Sequence, residues 1–137
     1  MELNPNKPRI SIGLPVYNGE SFLDAKIKSL LGQTFSDYEI IISDNASTDK
    51  TSIICKKFAE NDERIRYVRQ EKNLGAWRNY NFLLKEAKGE YFLWSGVDDI
   101  MSPTFLEKVS NILDLNKNIS CCISKIQLYG KSKNKEQ

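Results

Sequence analysis

Residues 38–49 read YEIIISDNASTD, and that order of residue types decides the fold. Three consecutive isoleucines within the run 38–43 suit a short strand covered on both faces, as in a parallel sheet. DNASTD, which follows, is dense in turn and helix-capping chemistry. A helix over 50–60 then turns Ile54 and Phe58 inward. On the N-terminal side, residues 21–33 repeat Leu23, Ile27, Leu30 and Leu31 at helical spacing, and Gly32 marks the end. Before them, residues 9–16 (RISIGLPV) form a β-type apolar segment stopped by Pro15. On the C-terminal side come a strand over 65–69 (IRYVR), a polar loop over 70–75, and a helix over 76–87 carrying Tyr80, Leu83, Leu84 and Ala87. Gly89 breaks that helix, and residues 91–95 (YFLWS) read as the next strand. After a loop over 96–102, Ser102-Pro103 is a helix-start signal, and Phe105, Leu106, Val109, Ile112 and Leu113 supply the helix face. Residues 119–128 read as a fifth and final strand.

Regular alternation of strand and helix specifies an α/β fold: a mostly parallel, Rossmann-like sheet with helices on both faces, joined by right-handed crossovers. In such sheets ligands bind beyond the carboxyl ends of the strands. Three polar clusters fall at those ends: Tyr17-Asn18 after the first strand, Asp44-Asn45 after the second, Asp98-Asp99 after the fourth. The topology therefore gathers them along one edge.

The chain has 137 residues, 40% hydrophobic and 28% charged, which fits one domain with a real core and excludes disordered, collagen-like and coiled-coil classes. The expected organisation is a single domain over 1–137, with an N-terminal extension over 1–8 and a flexible tail over 129–137. Net charge is +2, with Lys131, Lys133 and Lys135 near the end and mixed signs elsewhere. That pattern does not make a nucleic-acid binder. There is no histidine, so His-based acid–base catalysis, a Ser-His-Asp triad and a conventional zinc site are excluded. Cys55 stands alone, and Cys121 and Cys122 are adjacent, which on a strand is poor geometry for a bridge. No run approaches the ~18 apolar residues of a membrane span. The expected setting is soluble and reducing: cytoplasmic, with the membrane periphery left open.

Each polar cluster admits a chemical and a structural role. Asp98-Asp99, two carboxylates in a glycine-containing loop, suit Mg²⁺ or Mn²⁺ bridging to phosphate oxygens; otherwise one caps the Ser102-Pro103 turn and the other is solvated. Asp44 can accept a hydrogen bond from a base or ribose, or open the next helix as an Asx turn. Ser47, Thr48 and Asp49 are better placed for capping, and Asp49 is assigned to it. Pro15, Tyr17 and Asn18 form either a rigid turn or a ledge on which a base stacks. Arg78, near a helix start, reaches a diphosphate or is a surface arginine. Trp77 and Trp94 read as core or pocket wall. The phosphate-binding patterns GxxxxGK[ST] and GxGxxG are absent.

Taken together, SIGLPVYNGESFLDAKIKSLLGQTFSDYEIIISDNASTDKT, NLGAWRNYN and GEYFLWSGVDDIMSP resemble the family 2 glycosyltransferases, an inverting class with the GT-A fold. The resemblance covers nearly the whole chain, from about Arg9 to about Leu128. It implies nucleotide-sugar binding by Pro15, Tyr17, Asn18, Asp44, Arg78 and Asp98, with Asp44 on the uracil or other base. Asp98 would match the last aspartate of the family's Asp-x-Asp metal motif and hold Mg²⁺ or Mn²⁺. The motif's first aspartate falls on Gly96. The resemblance also implies that the half bearing the general base and acceptor site follows what is here, so the chain is expected to be a truncated, donor-binding half. Its implied partners are a UDP-sugar and a glycan or lipid-linked acceptor, with self-association at an incomplete sheet edge. The alternative is a catalytically silent binding or interaction module on the same fold. A receiver-like signalling domain is disfavoured, because its acidic pair belongs after the first strand rather than the fourth.

Overall fold

The computed structural model describes residues 7–125. Eight elements alternate: β1 (Ile10–Val16), α1 (Glu20–Leu31), β2 (Tyr38–Asp44), α2 (Thr51–Asn61), β3 (Ile65–Arg69), α3 (Ala76–Glu86), β4 (Tyr91–Trp94) and α4 (Phe105–Leu115). The strands form one sheet in the order β3-β2-β1-β4, every pair parallel. Register sets Val16 beside Asp44 and Asp44 beside Arg69, so the ends of β1, β2 and β3 are flush.

Side-chain alternation along the strands sorts the helices onto two faces. Ile10, Ile12, Leu14 and Val16 of β1, with Ile40 and Ile42 of β2, form one core with Leu23, Ile27 and Leu30 of α1, Cys55 of α2 and Leu106 of α4. The opposite face is covered by α3. A Cβ on Gly13 would lie 2.7 Å from the Phe92 ring and 3.2 Å from Leu83 Cβ, so this close approach requires glycine. Burial drives the Cys55 thiol pKa up to about 12, with the Asp44 and Asp49 charges adding to it, which leaves the thiol an inert core group.

Two expectations need correction. Residues 119–125 form no strand, and 126–128 lie outside the described residues, as do 1–6 and the tail over 129–137. Residues 120–122 instead run along an apolar groove lined by Tyr91, Leu93, Phe105 and Val109, while Ile123 is 88% exposed. Apolar pattern alone made no strand there, because these residues do not join the β4 ladder. Secondly, α4 starts at Phe105, after a turn in which the Ser102 carbonyl accepts the Phe105 N–H. Its cap comes from a distant residue: Gln33 Oε1 accepts the Leu106 N–H at 3.1 Å while Gln33 Nε2 donates to the Ser102 carbonyl at 2.8 Å.

Candidate functional site

The loops leaving β1 and β2 are laced together by side chains. Ser47 Oγ accepts the Asn18 N–H, Asn18 Oδ1 accepts the Thr48 N–H, and Thr51 Oγ1 accepts the Gly19 N–H. Asn18 sits at φ 50°, a left-handed conformation that asparagine tolerates. Asp49 and Glu20 exchange caps: Asp49 Oδ1 and Oδ2 accept the N–H groups of Thr51 and Glu20, and Glu20 Oε2 accepts that of Lys50. Burial alone would raise the Asp49 carboxyl, but bonds from Thr51 and Glu20 outweigh it and hold the group below its ordinary value. The capping role read for Asp49 is the one it performs.

Asp44 is fully buried at the centre of a closed network. Its Oδ1 accepts the Ser47 N–H at 2.8 Å, and its Oδ2 accepts Tyr67 OH at 2.9 Å and Arg69 Nη1 at 2.7 Å. Arg69 also donates to the Ser47 carbonyl. Burial and the adjoining carboxylate push the Tyr67 hydroxyl above its ordinary range. Of the two roles open to Asp44, the internal one is filled here. A ligand reaches Oδ2 only by displacing Tyr67 or Arg69, whose side chain is 42% exposed.

Beside this network lies a cleft of about 190 Å³ lined by Pro15, Val16, Tyr17, Asn45, Asn73, Ala76, Asn79 and Tyr80. Tyr17 is half exposed at its rim. The cleft's amides are fixed: Asn45 Nδ2 donates to Asn73 Oδ1, and Asn45 Oδ1 accepts the Leu74 N–H. Asn79 Nδ2 donates to the Ser43 carbonyl, and Ser43 Oγ donates to Asn79 Oδ1. Arg78 is exposed near the N-terminus of α3 and has no hydrogen bond or ion pair among the described residues.

The loop after β4 is built differently. Asp98 and Asp99 are exposed, and their carboxylates have no hydrogen bond or ion pair among the described residues. Both fold over Gly96: a Cβ there would sit 2.8 Å from Asp99 Oδ2 and 3.1 Å from Asp98 Oδ1. The space that a side chain at position 96 would need is thus filled by two converging hard oxygen donors, which suits a divalent cation. No group of three or more His, Cys, Asp or Glu able to hold a metal exists among the described residues, so the chain's donors there number two carboxylates. Beneath the loop, the fully buried Lys26 donates from Nζ to the Asp99 carbonyl at 2.8 Å. Burial lowers the Lys26 pKa to about 8, and the Asp99 and Asp98 charges pull it back up, so the ammonium persists at neutral pH.

Pro15 and Tyr17 therefore meet at the cleft, Asn18 and Asp44 brace the loops behind it, and Arg78 and Asp98 are not among its lining residues. Sequence reading placed Asn45 at the strand-end edge without a role, and missed Asn73, Asn79, Tyr67, Arg69 and Lys26. Lys26 had a visible signal: it falls in the stripe Leu23, Lys26, Ile27, Leu30, where a charge does not belong on an apolar face. Trp77 is 77% exposed and Trp94 47%, so neither is a core residue. Trp94 lies on the edge strand, edge-on to Phe92 with ring centroids 4.9 Å apart, and Trp77 projects from the first turn of α3.

Comparison with known proteins bears on the family and the fold. Residues 11–136 match Glycosyl transferase family 2. An uncharacterized glycosyltransferase of Haemophilus influenzae is 32% identical over 90% of this chain and 38% of its own length. Glycosyltransferase GlyG of Streptococcus pneumoniae is 37% identical over 72% of this chain and 33% of its own. Among solved structures, S. aureus TarS 1-349 in complex with UDP superposes with a TM-score of 0.74 at 28% identity, covering 80% of this chain and 33% of that one. Its complex with UDP-GlcNAc gives 0.75 over 80% and 32%. This chain thus spans about a third of the length of these relatives. In fold and in sequence, the chain belongs to glycosyl transferase family 2, with the GT-A architecture.

Proposed function

We propose that this chain forms the donor-binding part of an inverting glycosyltransferase, receiving a nucleoside-diphosphate sugar, with UDP-sugars first in line, for transfer to a hydroxyl of a glycan or lipid-linked acceptor. One observation carries the reading: an amide-lined cleft and an open carboxylate pair both lie beyond the carboxyl ends of a parallel sheet, the edge where such folds take ligands. The likeness to TarS, solved with UDP and with UDP-GlcNAc, supports the choice of donor.

In this proposal Pro15 and Tyr17 wall the base, Asn18 holds the loop that carries Tyr17, and Asp44 receives the base as Arg69 yields its place on Oδ2. Arg78, free and near a helix N-terminus, turns toward the diphosphate. Asp98 and Asp99 would hold Mg²⁺ or Mn²⁺. When bound there, the ion supplies positive charge to the departing diphosphate. No residue of this chain is assigned as the base that deprotonates the acceptor. The three free cysteines suit a reducing, cytoplasmic setting, and no described helix is long and apolar enough to cross a membrane. The outer edge of β4, unpaired among the described residues, leaves room for self-association.

Calorimetric titration with UDP, GDP and inorganic diphosphate tests this. UDP should bind more tightly than diphosphate. Asp44→Asn should cost UDP about 1.5–3 kcal/mol, the worth of a charge-assisted hydrogen bond, and leave diphosphate unchanged. Equal binding of UDP and diphosphate by the unaltered chain would remove base recognition from the account.

A further inference from the structure

Lys26 and Ser29 of α1, and Gln33 just past its end, reach the loop between β4 and α4. Lys26 Nζ donates to the Asp99 carbonyl at 2.8 Å, Ser29 Oγ accepts the Met101 N–H at 3.5 Å, and Gln33 Nε2 donates to the Ser102 carbonyl at 2.8 Å. Lys26 and Ser29, three residues apart, share one face of α1. The first is the anomaly. An ammonium with no solvent exposure, given a single bond to a carbonyl, recovers little of its lost hydration, and a methionine of similar length would fill the same space at lower cost. The core does not require a lysine there, so its reason lies in what it touches.

It touches the backbone of the acidic loop, not the acids. Lys26 forms no ion pair, and the Asp98 and Asp99 carboxylates stay unbonded among the described residues, converging over Gly96. Two like charges brought close repel, and the bonds from Ser29 and Gln33 hold the loop only further along, at Met101 and Ser102. The loop's own hydrogen bonding is thin: the Asp99 N–H reaches the Gly96 carbonyl at 3.4 Å.

We infer that Lys26 is the positioning residue of the Asp98–Asp99 loop: by gripping the Asp99 carbonyl from below, it keeps both carboxylates turned over Gly96, ready to share a divalent cation. Its charge lies on the inner side of the loop, so it offsets carboxylate repulsion without occupying the space between them. Only the cation step rests on the metal reading proposed above; the gripping of the loop stands on the geometry of Lys26 and Asp99 alone.

The test compares the unaltered chain with Lys26→Met and Lys26→Arg by three measurements: thermal midpoint, amide exchange of Asp99 and Met101 without metal, and Mn²⁺ binding in the presence of UDP. Lys26→Met should melt at the same temperature or higher, exchange both amides at least fivefold faster, and bind Mn²⁺ at least tenfold more weakly. Lys26→Arg, which keeps charge and donors, should restore slow exchange. Unchanged exchange in Lys26→Met overturns the inference. So does tighter Mn²⁺ binding, which would make the ammonium a repelling charge, and so does failure to fold, which would make Lys26 a core residue. If the unaltered chain binds no Mn²⁺, the metal reading falls, and the exchange measurement still decides for or against the grip.

Discussion

Asp44 and Asp98 stand beyond strands that flank β1 on either side, yet the protein treats them oppositely. Asp44 is fully buried, and Ser47, Tyr67 and Arg69 satisfy both of its oxygens. Asp98 is exposed, unbonded among the described residues, and paired with Asp99 over a glycine. The difference follows from what each strand has for neighbours. β2 lies between β1 and β3, and register brings Arg69 of β3 directly beside Asp44. Among the described residues β4 pairs only with β1, and it has no fully buried residue. An acid at the end of an interior strand is drawn into the framework, whereas one at the end of an edge strand stays free for a ligand.

Substitution should separate the two acids most sharply in stability. Asp44→Ala leaves the Tyr67 hydroxyl and the Ser47 N–H without partners. It should destabilise the chain by about 3 kcal/mol, near the low end for a broken buried pair because Arg69 can turn to water. Asp98→Ala should stay within about 0.5 kcal/mol, as expected for a surface residue. Urea denaturation of both variants checks this, and similar losses would erase the contrast.

A smaller effect is expected at Asp49, which belongs with the framework. Asp49→Asn keeps one acceptor oxygen but turns an amide N–H toward the second backbone donor, so it should cost about 0.5–1.5 kcal/mol, the net worth of one hydrogen bond. Because the folded pKa lies below the ordinary value of 3.8, the unfolded chain binds the proton more readily. The contribution is therefore complete above that value and is lost as pH falls through the lower folded one. Denaturation midpoints of the unaltered chain and Asp49→Asn should differ at neutral pH and converge in acid. A difference that persists unchanged in acid would show that the carboxylate charge is not what matters.

A small stability change is also expected at Gly96. A Cβ would press on the ends of two exposed, flexible side chains, so Gly96→Ala should cost less than about 1 kcal/mol. It should nevertheless splay the carboxylates and weaken any metal-dependent binding. Retention of full metal dependence would show that convergence over Gly96 is incidental.

The same contrast explains what was legible in the sequence. Strands and helices could be read because the apolar spacing of Leu23, Ile27 and Leu30, and the isoleucine run of β2, are local signals. Pro15 and Tyr17 could be placed at the cleft because strand ends share one edge. The closure of Asp44 could not be read, since Tyr67 and Arg69 lie 23 and 25 residues away and meet it only through strand register. Gln33 as the cap of α4 was hidden for the same reason, 73 residues from Leu106. The strand expected over 119–128 had the right residue types, but 119–125 do not join the sheet.

The central claim is that the exposed Asp98–Asp99 pair serves a metal-assisted nucleotide site, while the buried Asp44 braces the framework and meets the base only where Arg69 yields. It is tested most directly by calorimetric titration of UDP into the unaltered chain and Asp98→Ala, each with and without Mn²⁺. The account predicts at least tenfold tighter binding with Mn²⁺ in the unaltered chain, on the scale by which disturbed metal sites lose affinity, and no such gain in Asp98→Ala. Equal UDP affinity with and without Mn²⁺ in the unaltered chain, or a gain that survives in Asp98→Ala, would contradict it.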